Sequence, residues 1–239
     1  MQRCIELAQI GMGNVSPNPM VGAVLVHDGL IIGEGWHQQY GGPHAEVNCI
    51  NAVAEEHQHL IASSTLYVSL EPCAHYGKTP PCADLIVANR IPNVVIGCVD
   101  SFSQVSGKGI EKLKVAGINL TVGILEDECR LLNKRFFTRQ ENNRPYIILK
   151  WAESNDGFIA PLDGKRVMLS NTFSQTWVHK MRSEEDAILV GYNTTLQDNP
   201  QLNNRYGKGK QPIRIAIDPQ MALPQNLHIF DGAQQTVIL

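Results

Sequence analysis

Short apolar runs alternate with amphipathic stretches through the first half of the chain. Val21-Gly-Ala-Val-Leu-Val26, Thr65-Leu-Tyr-Val-Ser69 and Asn93-Val-Val-Ile-Gly97 predict buried strands. Between them the spacing turns helical over Ala45–Glu56, Cys82–Asn89 and Ile110–Ala116, and Gly117 stands where a helix C-terminus favours glycine. Alternation of this kind predicts an α/β domain with a mostly parallel sheet covered by helices. The polar stretch Thr138-Arg-Gln-Glu-Asn-Asn-Arg-Pro145 predicts a linker, dividing the chain into a domain over 1–140 and another over 145–239. In the second, the pattern predicts a strand over Tyr146–Trp151, a helix over Asn171–Arg182, strands at Ala187–Gly191 and Ile213–Asp218, and the start of another at Gln235–Leu239. Because the sequence stops inside that last apolar run, the second domain is expected to be truncated. Its unpaired strand would favour local disorder or association with another copy, as in a homo-oligomer.

Composition narrows the classes. The 239 residues are 43% hydrophobic and 18% charged, enough for two compact domains or one large one. No apolar run approaches the ~18 residues of a membrane span, so a membrane protein is not expected. The start, Met1-Gln-Arg-Cys-Ile-Glu6, does not resemble a secretory signal. A net charge of −3 with no basic block argues against a nucleic-acid scaffold but leaves room for a small phosphorylated substrate. Six cysteines without a signal suit a reducing, cytoplasmic compartment.

The informative chemistry lies in Pro43-His-Ala-Glu46, Glu71-Pro-Cys73 and Pro80-Pro-Cys82. One imidazole and two thiolates are three zinc ligands, and a fourth position left for water makes such a site catalytic rather than structural. His44 and Glu46 are two apart and point in different directions along a helix side, so they converge only over a helix end. Pro43 and Pro81 both favour that placement. Glu46 would be the group that takes a proton from water and delivers it to a departing amine. His-x-Glu followed by Pro-Cys-x-x-Cys marks the zinc nucleobase deaminases; here the two cysteines are nine positions apart instead. Cys4, Cys49, Cys98 and Cys129 lack partners at ligand spacing and are expected in the core, while His57 and His59 are expected at an exposed helix end.

Ser16-Pro-Asn-Pro-Met-Val-Gly22, Gly35-Trp-His37, Pro43-His-Ala-Glu46 and Leu70-Glu-Pro-Cys-Ala-His-Tyr-Gly-Lys-Thr-Pro-Pro-Cys82 resemble the bacterial bifunctional riboflavin biosynthesis family. The resemblance spans the whole chain and is most specific over 16–82. It implies a cytidine-deaminase-like three-layer domain followed by a dihydrofolate-reductase-like α/β domain. The implied reaction is hydrolytic deamination of 2,5-diamino-6-(5-phosphoribosylamino)pyrimidin-4-one, then NADPH-dependent reduction of the ribosyl group. Zinc would be held by His44, Cys73 and Cys82, and substrate by Asn18, His37, His75 and Lys78. Asp100-Ser-Phe-Ser103 departs from the family's usual Asp-Pro-Asn-Pro and replaces a polar position with Phe102.

For the second domain the residues alone say little, and the usual Gly-x-Gly-x-x-Gly dinucleotide fingerprint is absent. By resemblance, Lys150 and Asp198 would serve the reduction. Arg166, Arg182, Leu202 and Arg205 would hold substrate, and Ala152, Met168, Thr194 and Asp198 the NADPH. Arg166 and Met168 stand where the family often has serine and tryptophan. The expectation is a chain that deaminates and does not reduce. The alternatives are a nucleotide or tRNA deaminase of the same zinc fold, and a zinc-stabilised binding module in which Glu46 would be dispensable.

Overall fold

The apolar runs of the first half pair into one five-stranded sheet in the computed structural model, which describes every residue except 77–79, 103–104, 163–166 and 208. Strands β1 (Gly22–His27), β2 (Leu30–Trp36), β3 (Thr65–Leu70), β4 (Asn93–Cys98) and β5 (Asn119–Val122) lie in the order β2-β1-β3-β4-β5. The sheet is mixed rather than mostly parallel: β1 is antiparallel to both β2 and β3, and only β3-β4 and β4-β5 run parallel. The cause is the Asp28-Gly29 turn, with φ of 47° and 80°, which folds β1 straight back as a hairpin.

Among the described residues, six α-helices flank this sheet: α1 (Gln2–Gln9), α2 (Ala45–Asn51), α3 (Cys82–Ala88), α4 (Lys108–Val115), α5 (Glu126–Leu132) and α6 (Lys134–Asn142). Successive side chains of a strand face opposite ways. Ala23 and Leu25 join Ile50, Ile86 and Leu113 of α2, α3 and α4, whereas Val24 joins Cys4 and Leu7 of α1. The result is three layers, with each fully buried leucine or isoleucine contributing about 1.5–3 kcal/mol. Cys4, Cys49, Cys98 and Cys129 are all buried, as expected.

Two boundaries differ from the sequence reading. The helix expected to Glu56 stops at Asn51 and resumes as a 3-10 helix over Glu55–Ser63. The Gln58 side chain donates to the Val53 carbonyl, satisfying a group released where the helix breaks. The stretch read as a linker is helical to Asn142, because α6 is anchored through buried Phe137. By its contacts the chain divides into units Met1–Ile147 and Ile148–Leu239.

The second unit contains α7 (Thr172–Glu184), β6 (Ala187–Val190), α8 (Tyr192–Asp198), β7 (Ile213–Ala216) and β8 (Thr236–Ile238). Its strands form a parallel sheet in the order β6-β7-β8. Asn171 caps α7, its Oδ1 accepting from the Ser174 N–H at 2.9 Å. Tyr146–Trp151, expected as a strand, is extended neither in a ladder nor buried. Its apolar residues suit a strand, but no described strand pairs with it, and a strand requires a partner for its N–H and C=O groups.

Candidate active site

Three chain segments converge at one end of the five-stranded sheet. His44 is the N-cap of α2, Cys82 opens α3, and Cys73 follows the end of β3. This is the helix-end geometry that the His-x-Glu spacing required. Gly35 allows it: a Cβ there would lie 2.2 Å from the Cys49 nitrogen, so only glycine lets α2 pack directly on β2. His44 Nδ1 is 3.3 Å from Cys82 Sγ and 3.6 Å from Cys73 Sγ, and the three ligand atoms lie within 4.8 Å of one another. A tetrahedral zinc with ordinary bond lengths separates its nitrogen and sulfur ligands by about 3.5 Å, so this donor set fits the metal.

The electrostatics agree. The hydrogen bond from Cys82 holds the Cys73 thiol down at about 4, while the Cys73 sulfur and burial push Cys82 up. A cation bound between the two sulfurs would favour the thiolate form of both. The bond to Cys73 raises the His44 pKa against the opposing effect of burial. Glu46, in the first turn of α2 and 3% exposed, has its pKa raised by burial and then by Cys73.

A cavity of about 280 Å³ opens over this cluster. Asn18, His37, His75, Asp100 and Phe102 line it together with Glu46. His37 Nδ1 lies 2.9 Å from the Pro43 carbonyl, which can only accept. The ring proton therefore sits on Nδ1, and Nε2 accepts from the Asn18 amide at 3.1 Å. Burial lowers the His37 pKa, in keeping with this neutral form. The arrangement leaves Asn18 Oδ1 as an acceptor. His75 meets the Phe102 ring edge-on at 6.0 Å, and its Nδ1 is buried without a partner among the described residues. Burial raises the Asp100 pKa to about 6. Lys78 lies outside the described residues.

Three residues of this neighbourhood were missed in the sequence. Asn133, at the α5–α6 junction, clasps Met20 by accepting from its N–H and donating to its carbonyl, both at 2.8 Å, and so fixes the loop that carries Asn18. Its signal was a polar residue inside the apolar stretch Leu131-Leu-Asn133. Phe136 and Gln140 of α6 also line the cavity, from the stretch read as reaching into a linker.

In the second unit the structure gathers part of the expected set. Arg182 donates to the Asn203 carbonyl at 3.0 Å, and its buried Nε has no partner among the described residues. Burial, then the charge of Arg205, lowers the Arg182 pKa. The main-chain N–H of Arg205 donates to His179 Nδ1 at 3.2 Å, and the His179 and Tyr206 rings lie 4.3 Å apart. Leu202 is buried nearby in sequence, at 3% exposure. Two guanidinium groups with no described carboxylate between them make an electropositive patch. His179 was not singled out in the sequence, since a lone histidine in a helix carries no pattern. Lys150, Met168, Thr194 and Asp198 are exposed and Ala152 half-buried; no described side-chain hydrogen bond joins them. Arg166 lies outside the described residues.

Comparison with known proteins gives a consistent picture. A family model for the cytidine and deoxycytidylate deaminase zinc-binding region matches residues 1–98, and one for the RibD C-terminal domain matches 145–239. The chain is 42% identical over 240 residues to the riboflavin biosynthesis protein RibD of Aquifex aeolicus, covering 100% of this chain and 66% of that protein. It is 41% identical to RibD of Bacillus amyloliquefaciens, with 100% and 64% covered. It therefore spans less than two thirds of the length of these curated relatives. Among solved structures, a diaminohydroxyphosphoribosylaminopyrimidine deaminase/5-amino-6-(5-phosphoribosylamino)uracil reductase from Thermotoga maritima matches with a TM-score of 0.93 at 43% identity, covering 100% of this chain and 68% of that one. Among the described residues, no helix is long and apolar enough to cross a membrane.

Proposed function

The chain belongs to the family of the riboflavin biosynthesis protein RibD, and we propose that its first unit hydrolytically deaminates 2,5-diamino-6-(5-phosphoribosylamino)pyrimidin-4-one. The observation that carries this is the convergence of His44, Cys73 and Cys82 beneath a cavity into which a buried Glu46 also opens. His44, Cys73 and Cys82 would hold one zinc ion. Zinc, when bound, lowers the pKa of water beside it toward neutrality. Glu46 accepts the water's proton at a carboxylate oxygen and gives it to the departing amine, which leaves as ammonia. A carboxyl with a raised pKa suits that task, because it must hold the proton between the two transfers. Neutral His37 holds the Asn18 amide by its N–H, leaving Oδ1 to accept from a ring amine or ring N–H. His75 Nδ1, buried and without a partner among the described residues, supplies a second polar contact, and Lys78 follows three residues later in the sequence.

For the second unit we propose the reductase role of the family, with Arg182, Arg205 and Leu202 on the sugar phosphate. Arg166 belongs with them by sequence. Ala152, Met168, Thr194 and Asp198 are proposed for NADPH, and Lys150 and Asp198 for proton handling. Lys150, Met168, Thr194 and Asp198 are solvent-exposed, where a bound cofactor would cover them. The partners proposed are small molecules and a further copy of the chain, without nucleic acid or membrane. Six free thiols suit a cytoplasmic setting. Metal analysis combined with ammonia release from the phosphoribosylaminopyrimidine and from cytidine tests the reading. Zinc with turnover of the first substrate alone is expected; preference for cytidine would overturn the substrate assignment.

A further inference from the structure

Glu71 is a buried acid, 4% exposed, one residue beyond the end of β3. Its main-chain N–H donates to the Cys98 carbonyl at 3.0 Å, so it continues the β3–β4 ladder and its backbone is fixed. Its side chain receives four main-chain N–H groups from far along the chain. Oε2 accepts from Asp100 at 3.2 Å and Gly107 at 3.0 Å, and Oε1 from Gly109 at 2.9 Å and Ile110 at 3.2 Å. The first N–H groups of a helix have no partner within it and are ordinarily met by an N-cap side chain. The N-cap of α4 is Gly107, which has none. Glu71 supplies that missing acceptor from a neighbouring strand end.

A second observation shows that the joint is built for close approach. A Cβ on Gly109 would lie 1.9 Å from the Pro72 carbonyl oxygen and 3.2 Å from Glu71 Cγ. Only glycine lets the start of α4 sit against Glu71-Pro72, immediately before the ligand Cys73. The tie also reaches the cavity wall: Asp100, held by Glu71 through its N–H, uses its own Oδ1 to accept from the Phe102 N–H at 2.7 Å. Phe102 in turn packs edge-on against His75.

We propose that Glu71 is a positioning residue of the deamination site, pinning the segment that carries Asp100 and Phe102, and the start of α4, to the strand end that carries Cys73. Both its oxygens are occupied by main-chain donors, so it orients the wall and takes no part in proton transfer. The role rests on the deaminase reading only for its kinetic consequence; the pinning itself is read without activity.

The test has two arms. In the wild-type chain, amide exchange is expected to be as slow at Gly107, Gly109 and Ile110 as in β4, although two are first-turn amides and one precedes the helix. Exchange at the rate of exposed amides would overturn the proposal. In Glu71→Gln, one oxygen remains and an NH2 faces two donors, so exchange at these amides is expected to rise roughly 10- to 100-fold. Zinc content should stay unchanged. KM for the phosphoribosylaminopyrimidine should rise about 10-fold while kcat stays within about 3-fold, the pattern of lost ground-state binding. A variant with a lower melting temperature but unchanged KM and unchanged exchange would make Glu71 merely structural and overturn the proposal. If the wild-type chain shows no deamination, the functional reading fails, and the exchange measurements still decide the pinning.

Discussion

The zinc cluster of the first unit and the arginine pair of the second are both sets of charged or ionisable groups, yet they are built differently. In the first unit the groups are short side chains at helix and strand ends, held by backbone that the core fixes. Cys82 is 1% exposed and Glu46 3% exposed. In the second unit, long side chains reach from α7 and the loop after α8, and Arg205 is exposed. Short buried ligands pre-set a geometry for one ion. Long cations set a potential that any anion of suitable size satisfies.

The largest effect should follow from removing the two thiols. Cys73→Ala with Cys82→Ala leaves one imidazole, too few ligands for a stable site, and zinc measured by elemental analysis is expected to fall from one per chain to none. Zinc retained by that double variant would place the metal elsewhere and dissolve the contrast. The next effect is Glu46→Gln, nearly isosteric but unable to accept the water's proton. Zinc should be retained while deamination falls by ~10²-fold or more, the usual scale for an acid–base group. Near-normal turnover with confirmed metal would restore the non-catalytic alternative.

A smaller effect is expected in the second unit. Arg182→Gln shortens the side chain and replaces the charged guanidinium, whose buried Nε has no partner among the described residues, with a neutral amide. Binding of ribose 5-phosphate, followed calorimetrically, should weaken roughly 10-fold, the scale of one charge-assisted hydrogen bond. Affinity in the wild type should also fall with added salt. Unchanged binding would mean that the arginine pair serves the fold alone.

The same difference explains what was legible in the sequence. His44, Glu46, Cys73 and Cys82 could be placed because metal chemistry restricts residue type and the prolines marked helix starts. The α/β alternation was visible in the apolar runs, but β2 and the antiparallel half of the sheet were not, although Asp28-Gly29 carried the hairpin signal. The helix α6 was hidden because its outer face is polar and only Phe137 is buried. Tyr146–Trp151 has strand-forming residues, but pairing is a tertiary property that a local pattern does not contain. Asn133 and Glu71 act through main-chain groups distant in sequence, and nothing near either residue announces its partners.

The smallest expected effect is a pH dependence that separates the arginine patch from the rest. His179 packs on Tyr206, accepts the Arg205 N–H at Nδ1, and has its pKa lowered by burial first and then by Arg182 and Arg205. In the unfolded chain the imidazole titrates near 6.5. Above that value both states are neutral, and the full contribution to stability is present. As pH falls from 6.5 toward the lower folded value, the unfolded chain binds more protons than the folded one, so stability declines across that window and no further below it. Protonation would also turn Nδ1 from acceptor to donor and break the bond from Arg205. Asp100, raised to about 6, and His37, lowered by burial, lie in the first unit. The readout is therefore the difference between wild type and His179→Gln, which keeps an acceptor and cannot titrate. Urea midpoints of the second unit's transition, measured from pH 7.5 to 5 in a buffer without phosphate, should fall less steeply in the variant. Parallel slopes would show that the patch carries its two positive charges without help from a neutral histidine, and only the arginines would then distinguish it from an ordinary surface.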